Sequence, residues 1–498
     1  MRALLAAAAL VPFIAPDAFI PQEPVTAAPP AALTLSDLAG TWSGTARHDG
    51  ETSPVALELE PGDDGKVLVK WSAAAVHVEH APLGRTTPKI EGNEVQLGPF
   101  RLTYDRGAGT LSGAVPEGLA PLYKLSFLLT RVEKLDWRPR PEAAGAVATP
   151  AWTFDAGAPL WPGTSFASGV VYAGAEDGRL HALDGATGKA RWSFPTGGPI
   201  RTRAVADRGT VYFQSDDGFL YALHAASGRL RFKVRAVEKP VERLPPSDSK
   251  SRFDRFGSDV TVAGGRLYLG THDGRVLCLD PARGKTVWQF ASGDSVLAAP
   301  AVDSGRAYFG SYDGNVYALD AASGRLLWKR DTGKPVVSTP AVAGDRVVVG
   351  SRSYDLFGLD ARTGEVAWRR YVWFSWVESS PVVRDGIAYV GSSDAAALFA
   401  FDAESGRPVW TTDVGGWAWG QPAVTAGRVY IGTSALGGYI VSHRGGVLAV
   451  DRRTGLVVWH FGVDAVPEKA YGFTGSVSVG DGRIFAAGLD GRVYAFAE

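Results

Sequence analysis

The sequence predicts an all-β protein: an eight-bladed β-propeller closed by an N-terminal strand, preceded by a small β-barrel or sandwich domain. Three observations predict it. From residue 150 onward the chain repeats itself about every forty residues, each repeat carries about four strand signals, and each end of the array lacks part of a repeat.

The repeats define the strands. "GRLYLGTHDGRVLCLDPARGKTVW" (265–288) and "GRAYFGSYDGNVYALDAASGRLLW" (305–328) align residue for residue, and further copies begin at 169, 209, 345 and 386. A looser copy runs from "GRVYIG" (427–432) to "GGVLAVDRRTGLVVW" (445–459), and a truncated one is "GRIFAAGLDGRVYAFAE" (482–498). Within a copy, a strand such as "AYFGS" alternates apolar and small residues, and "DG" then makes a tight hairpin. The next strand, "NVYALD", runs into "AASG", where Gly accepts positive φ and Ser caps the turn. The following strand carries a Trp. Between copies lies a strand such as "VVSTPAV" (336–342), whose Pro suits a strand start. In order these are strands A ("STPAV"), B ("RVVVG"), C ("LFGLD") and D ("VAWRR").

The D-strand residues are Trp192, Trp288, Trp328, Trp368, Trp410 and Trp459, with Phe232 in the second copy. They read as core packing between blades. The last copy stops before any such strand, whereas "TPAWTFDAG" (149–157) is a Trp152 strand with no C strand before it. The N-terminal strand therefore completes the C-terminal blade, which gives eight blades and no long open edge.

The phrase "ALDAASGRLLW" (318–328), repeated as "ALDGATGKARW" (182–192), resembles the tryptophan-docking motif of the PQQ-like propeller repeats across residues 149–498. That family includes quinoprotein dehydrogenases, outer-membrane assembly propeller lipoproteins and many exported proteins. WD40 repeats fit worse, because no Trp-Asp closes a strand. The motif specifies fold far more than function. In the dehydrogenases the resemblance implies a quinone stacked on a Trp and facing a disulfide between adjacent cysteines, with Glu, Asn and Asp holding calcium. Here Cys278 is the single cysteine, and the two asparagines are Asn93, outside the ring, and Asn315, beside a turn. No haem-attachment motif exists. The resemblance is therefore to the non-catalytic branch, similar to the assembly propellers. No cofactor is expected, and PQQ with calcium is disfavoured.

Upstream of the ring, residues 33–135 read as a small β-barrel-like domain of short strands with Gly-rich turns, and 136–148 as a Pro/Ala linker to the propeller at 149–498. A filled interior is the usual outcome for a barrel this small. Residues 1–32 read as a signal peptide and Pro/Ala-rich leader, because the apolar run after Arg2 is too short to span a bilayer. The expectation is a periplasmic or extracellular protein that is not membrane-spanning after signal removal. A net charge of −1 argues against nucleic-acid partners. Cys278, in an alternating strand, fills core space. His77 and His80 ("HVEH") read as strand residues rather than a metal site.

One face of the ring is elaborated. The C-to-D turns are short and regular, whereas the D-to-A and B-to-C connections include long insertions at 237–256 and 433–445. Aromatic-rich stretches on the same face are "YVWFSWVES" (371–379), "GGWAWGQP" (415–422) and "PEKAYGFTG" (467–475). Function usually sits on such a face. Trp376 and Trp417 each lie five residues before an A-strand proline, and Trp419 and Trp161 share a nearby slot. The expected funnel is Trp161, Trp373, Trp376, Trp417, Trp419, Tyr471 and Phe473, near Phe374, with polar residues Arg201, Arg203, Asp259, Glu378 and Gln421. This would make a default ligand pocket, or simply packing for a wide channel. No catalytic or metal residue is assigned. The reading is an exported, non-enzymatic binding or scaffold propeller for an envelope protein or polymer. The alternatives are an atypical PQQ-dependent quinoprotein dehydrogenase and a glycan-binding or glycan-processing propeller.

Overall fold

The computed structural model describes residues 32–48, 51–98, 100–114, 125–135, 144–238, 256–437 and 443–498. The leader, part of the linker and most of the 237–256 insertion lie outside the described residues.

The ring forms as the repeats require. Six blades are four-stranded antiparallel sheets built from consecutive A, B, C and D strands, from Thr164–Ala167 in blade 1 to Pro408–Asp413 in blade 6. In blade 8, Trp152–Asp155 pairs antiparallel with Arg492–Ala497, Trp152 opposite Ala495. The first propeller strand thus completes the last sheet. Blade 7 is enlarged. Its B strand extends to Arg428–Leu436, Ala470–Gly472 pairs with the extension, and Ala146–Val147 adds a parallel strand outside its D strand.

The repeated Trp and Gly hold blades together as a unit. Each of six indoles donates Nε1–H to a carbonyl in the C-to-D turn of the next blade, for example Trp192 to Ala225 at 2.9 Å and Trp328 to Ala361 at 3.1 Å. The ring lies flat on the turn glycine. A Cβ on Gly364 would sit 2.6 Å from Trp328, and Gly364 has φ +73, so glycine is required twice over. In blade 2 Phe232 lacks the N–H but still covers Gly284. The turn aspartates fix the same loops. Asp184 accepts from the Thr187 backbone N–H and hydroxyl, and the Arg191 guanidinium with Thr187 holds its carboxyl down at about 2.

The N-terminal domain is a nine-stranded meander whose first strand, Gly40–His48, pairs with its last, Ser126–Val132, so the sheet curls into a half-open barrel. Its interior is side-chain core: Trp42, Leu59, Leu102, Leu111 and Leu129 are buried, and the Trp42 indole donates to Leu38 O at 2.8 Å. The barrel rests on the rim of blades 5 and 6. Trp373 and Phe374 pack onto its core, Phe374 edge-on to Trp71 at 5.5 Å. His48 stacks on Tyr371 at 4.1 Å. His77 ends a short 3-10 turn rather than lying in a strand and faces Asp413 of blade 6 at 3.6 Å, while His80 pairs with Glu58.

Candidate functional site at the channel mouth

All eight blades contribute to one cavity on the ring axis, through the residues flanking position 420 and its repeat equivalents. One layer comprises Arg201, Glu378 and Trp419; a second, two residues later, comprises Arg203, Asp259, Thr339, Ser380, Gln421 and Ser476. The two-residue offset places both on the same side of an extended backbone. The space open to water-sized molecules is about 60 Å³, enough for about four waters.

The second layer is stitched from blade to blade. Arg203 N–H donates to Asp259 Oδ1 at 2.7 Å, Ala299 N–H to Thr339 Oγ1 at 3.0 Å, Thr339 N–H to Ser380 Oγ at 2.9 Å, and Gln421 N–H to Ser476 Oγ at 3.0 Å. These oxygens satisfy backbone donors that a wide channel would otherwise leave to solvent.

Charges at the mouth are paired. Arg203 Nε donates to Asp259 Oδ2 at 2.7 Å. Arg201, with 5% side-chain exposure, forms a two-pronged bond to Glu176 at 2.9 and 3.1 Å and reaches Asp216 at 3.0 Å. Arg352 donates to Glu378 at 2.5 Å and to the Tyr312 hydroxyl at 2.7 Å, and lies over the rings of Tyr312 and Trp376 at 5.0 and 4.8 Å. Burial works against the Arg352 charge, yet Glu378 and Tyr312 outweigh it and its pKa rises. Such clusters hold geometry, because removing one partner strands a buried charge.

Six of the twelve expected funnel residues line the cavity: Arg201, Arg203, Asp259, Glu378, Trp419 and Gln421. The other six do not. Trp161 is buried beside Pro162, which takes its place in the lining. Trp376 and Trp417 reach the hairpin of the preceding blade, Trp376 under Arg352 and Trp417 donating to Asp394 at 2.9 Å. Trp417 also stacks on Trp419 at 4.6 Å. Tyr471 donates its hydroxyl to His443 O at 3.0 Å within the blade-7 cap. Two expectations are corrected outright. Trp373 meets the barrel, because its connection runs out along the rim, and Phe473 is core, packed on Phe461 and Tyr494. Sequence reasoning missed Glu176, Asp216, Tyr312 and Arg352. They occupy one position, the second residue of "AEDG", "SDDG", "SYDG" and "SRSY". That position varies while its neighbours repeat, and this was the available signal.

Residues 144–251, 242–375 and 372–498 each match the family model described as outer membrane protein assembly factor BamB. The chain belongs to that family. Among solved structures, the BamB-family propeller resembles BamB from Moraxella catarrhalis, with 20% identity and TM-score 0.53 over 71% of this chain and 100% of that one. It also resembles the quinohemoprotein alcohol dehydrogenase of Comamonas testosteroni, with 14% identity and TM-score 0.54 over 71% of this chain and 78% of the enzyme. These likenesses show the fold. A curated relative, the serine/threonine-protein kinase AfsK of Streptomyces griseus, is 34% identical over 124 residues, 24% of this chain. The chain spans 14% of that kinase's length. No described helix is long and apolar enough to cross a membrane.

Proposed function

We propose that this BamB-family propeller is an exported, non-enzymatic scaffold that binds an envelope protein or polymer at its channel mouth. The observation that carries this is the state of the mouth's polar groups: each carboxylate named above is paired with an arginine, and the hydroxyls bridge blades. The result is a rigid, patterned rim, suited to recognition more than to proton or electron transfer.

A resident quinone with calcium does not suit these side chains. Glu378 and Asp259 are engaged by Arg352 and Arg203, and one face of Trp376 is covered by a guanidinium. Among the described residues no three His, Cys, Asp or Glu converge to hold a metal. On this reading, calorimetric titration with PQQ, with and without calcium, gives no saturable heat; micromolar binding at one site would instead favour the quinoprotein alternative. The positive test uses Arg203→Glu with Gln421→Lys. Recovery of the envelope partner bound by the wild type should fall at least tenfold, while Arg325→Glu on the opposite face leaves it unchanged. Equal loss from both variants would sink the proposal. Export follows the leader at 1–32, and N-terminal sequencing of the mature protein checks it.

A further inference from the structure

Four D strands carry Phe two residues after their Trp. In three of them that Phe meets a Tyr in the C strand of the next blade: Phe194 with Tyr221 at 5.7 Å, Phe290 with Tyr317 at 5.6 Å, and Phe461 with Tyr494 at 5.3 Å. Each tyrosine hydroxyl donates to the hairpin aspartate four residues earlier, at 2.5 Å to Asp217, at 2.6 Å to Asp313, and likewise to Asp490. In two of these junctions a glycine of the D-to-A connection donates its N–H to the same carboxylate, Gly197 to Asp217 at 2.9 Å and Gly293 to Asp313 at 2.8 Å.

The fourth junction is the seam at which Trp152–Asp155 closes the ring. There Phe154 meets His181 at 5.4 Å. The imidazole is buried, 7% exposed, and its Nε2 has no hydrogen-bond partner among the described residues. Gly157, in the place of Gly197 and Gly293, donates to Asp155 of its own strand at 2.8 Å. Asp177, the hairpin aspartate four residues before His181, keeps the Arg179 N–H of its own turn at 2.9 Å. The ends of the seam hold: Trp152 Nε1 donates to Gly185 O at 3.1 Å, and the Glu176 N–H to Pro159 O at 3.0 Å. What the seam lacks is the pair of polar links in its middle, where His181 sits.

We propose that His181 makes this seam the acid-sensitive joint of the ring: protonation drives the imidazole from its place against Phe154 and loosens the closing strand. A neutral imidazole is buried at small cost, whereas a cation in the same place loses its hydration. The surrounding charges do not make this good. Asp177 and Arg179 on its own hairpin oppose one another, and on the closing strand Asp155 is engaged by Gly157, with Arg492 opposite it. The flanking B and D strands place Ala173 and Ser193 beside His181. Burial pushes the imidazole below its ordinary 6.5; Asp177 pulls the other way and Arg179 adds to the push. The folded value lies below the unfolded one, so this contribution is complete above about pH 6.5 and is lost as pH falls below it. The joint is also the chain's route from barrel to ring, since Ala146–Val147 leads into it along blade 7.

Hydrogen exchange of the full mature chain, corrected for the intrinsic pH dependence of amide exchange, tests it. Between about pH 7.5 and about pH 5, protection of residues 151–156 should fall about tenfold or more, while Ala190–Pro195, the equivalent strand beside Tyr221, keeps its protection. His181→Phe keeps a ring against Phe154 that cannot titrate, so it should abolish the fall. His181→Tyr should abolish it too and raise protection at both pH values, because a hydroxyl there is placed to reach Asp177 as Tyr221 reaches Asp217. An undiminished fall in both variants, an equal fall in the two strands, or unchanged protection of residues 151–156 in acid would overturn the proposal.

Discussion

Two connections in corresponding places, residues 332–340 between blades 4 and 5 and residues 372–381 between blades 5 and 6, do different work. In the first, Thr332 Oγ1 bridges Gly314 O at 2.9 Å, Lys334 O at 3.0 Å and Ser351 Oγ at 3.0 Å, so the loop folds into its own ring. In the second, Val372 replaces the threonine, Trp373 the glycine, and Phe374 adopts φ 53, which turns the chain toward the barrel. Both connections still end by delivering Thr339 and Ser380 to the channel belt. A repeat position can thus keep its inner end for the ring while its outer end is rewritten for a neighbour.

The comparison breaks most severely at the rewritten end. Trp373→Ala with Phe374→Ala should cost about 3–5 kcal/mol of docked-barrel stability, since two large rings leave the barrel's core. Scanning calorimetry should show the barrel's transition falling while the propeller's holds; a matched fall in both would mean the rings support the propeller instead.

At the regular connection the effect is smaller and lands elsewhere. Thr332→Val removes the donor to Gly314 and Lys334 and leaves Ser351 with one partner fewer, which should cost the propeller about 1–3 kcal/mol. The barrel's protection from proteolysis should be unaltered.

Acid sharpens the contrast, because the turn aspartates belong to the ring's plain face. Asp184 is held near 2 by Arg191 and Thr187, and Asp320, Asp360, Asp402 and Asp451 are likewise held below the ordinary 3.8 by the Ser or Thr three residues on. Their folded values lie below the unfolded one, so their contribution is complete above about pH 4 and is lost as pH falls toward 2. Denaturation midpoints of the propeller should decline across that window, and Asp184→Asn should flatten the slope. Smallest of all is the Glu51 to Arg370 pair, 3.5 Å apart and partly exposed. Glu51→Gln should change docking by about 1 kcal/mol or less, and nothing at high salt.

The ring was legible because its causes are local and repeated. Trp, turn Gly and turn Asp recur at fixed spacing, and an unmatched strand at each end of the array identifies the closure. Membership of a layer was also legible for Arg203, Asp259 and Gln421, since each sits at a fixed offset from its A strand. What failed was the inference from aromatic content to a shared funnel. Trp373 and Phe473 are as aromatic as Trp419, but a radial loop sends one outward to another domain and the other inward to a blade core. That choice depends on long-range packing of Trp373 against the barrel core and of Phe473 against Tyr494, neither of which has a sequence period. Arg352 escaped notice for a related reason: its partner Glu378 lies 26 residues away in the next blade's approach.

Site-directed photo-crosslinking from three positions tests most directly the claim that the barrel occupies the blade 5–6 rim and leaves the mouth for a partner. A photoreactive residue at 373 should crosslink within the chain, to the barrel around Trp71. At 421 it should capture an envelope partner, and at 325, on the plain face, it should capture none. Partner adducts from 373, or equal adducts from 325 and 421, would contradict the account.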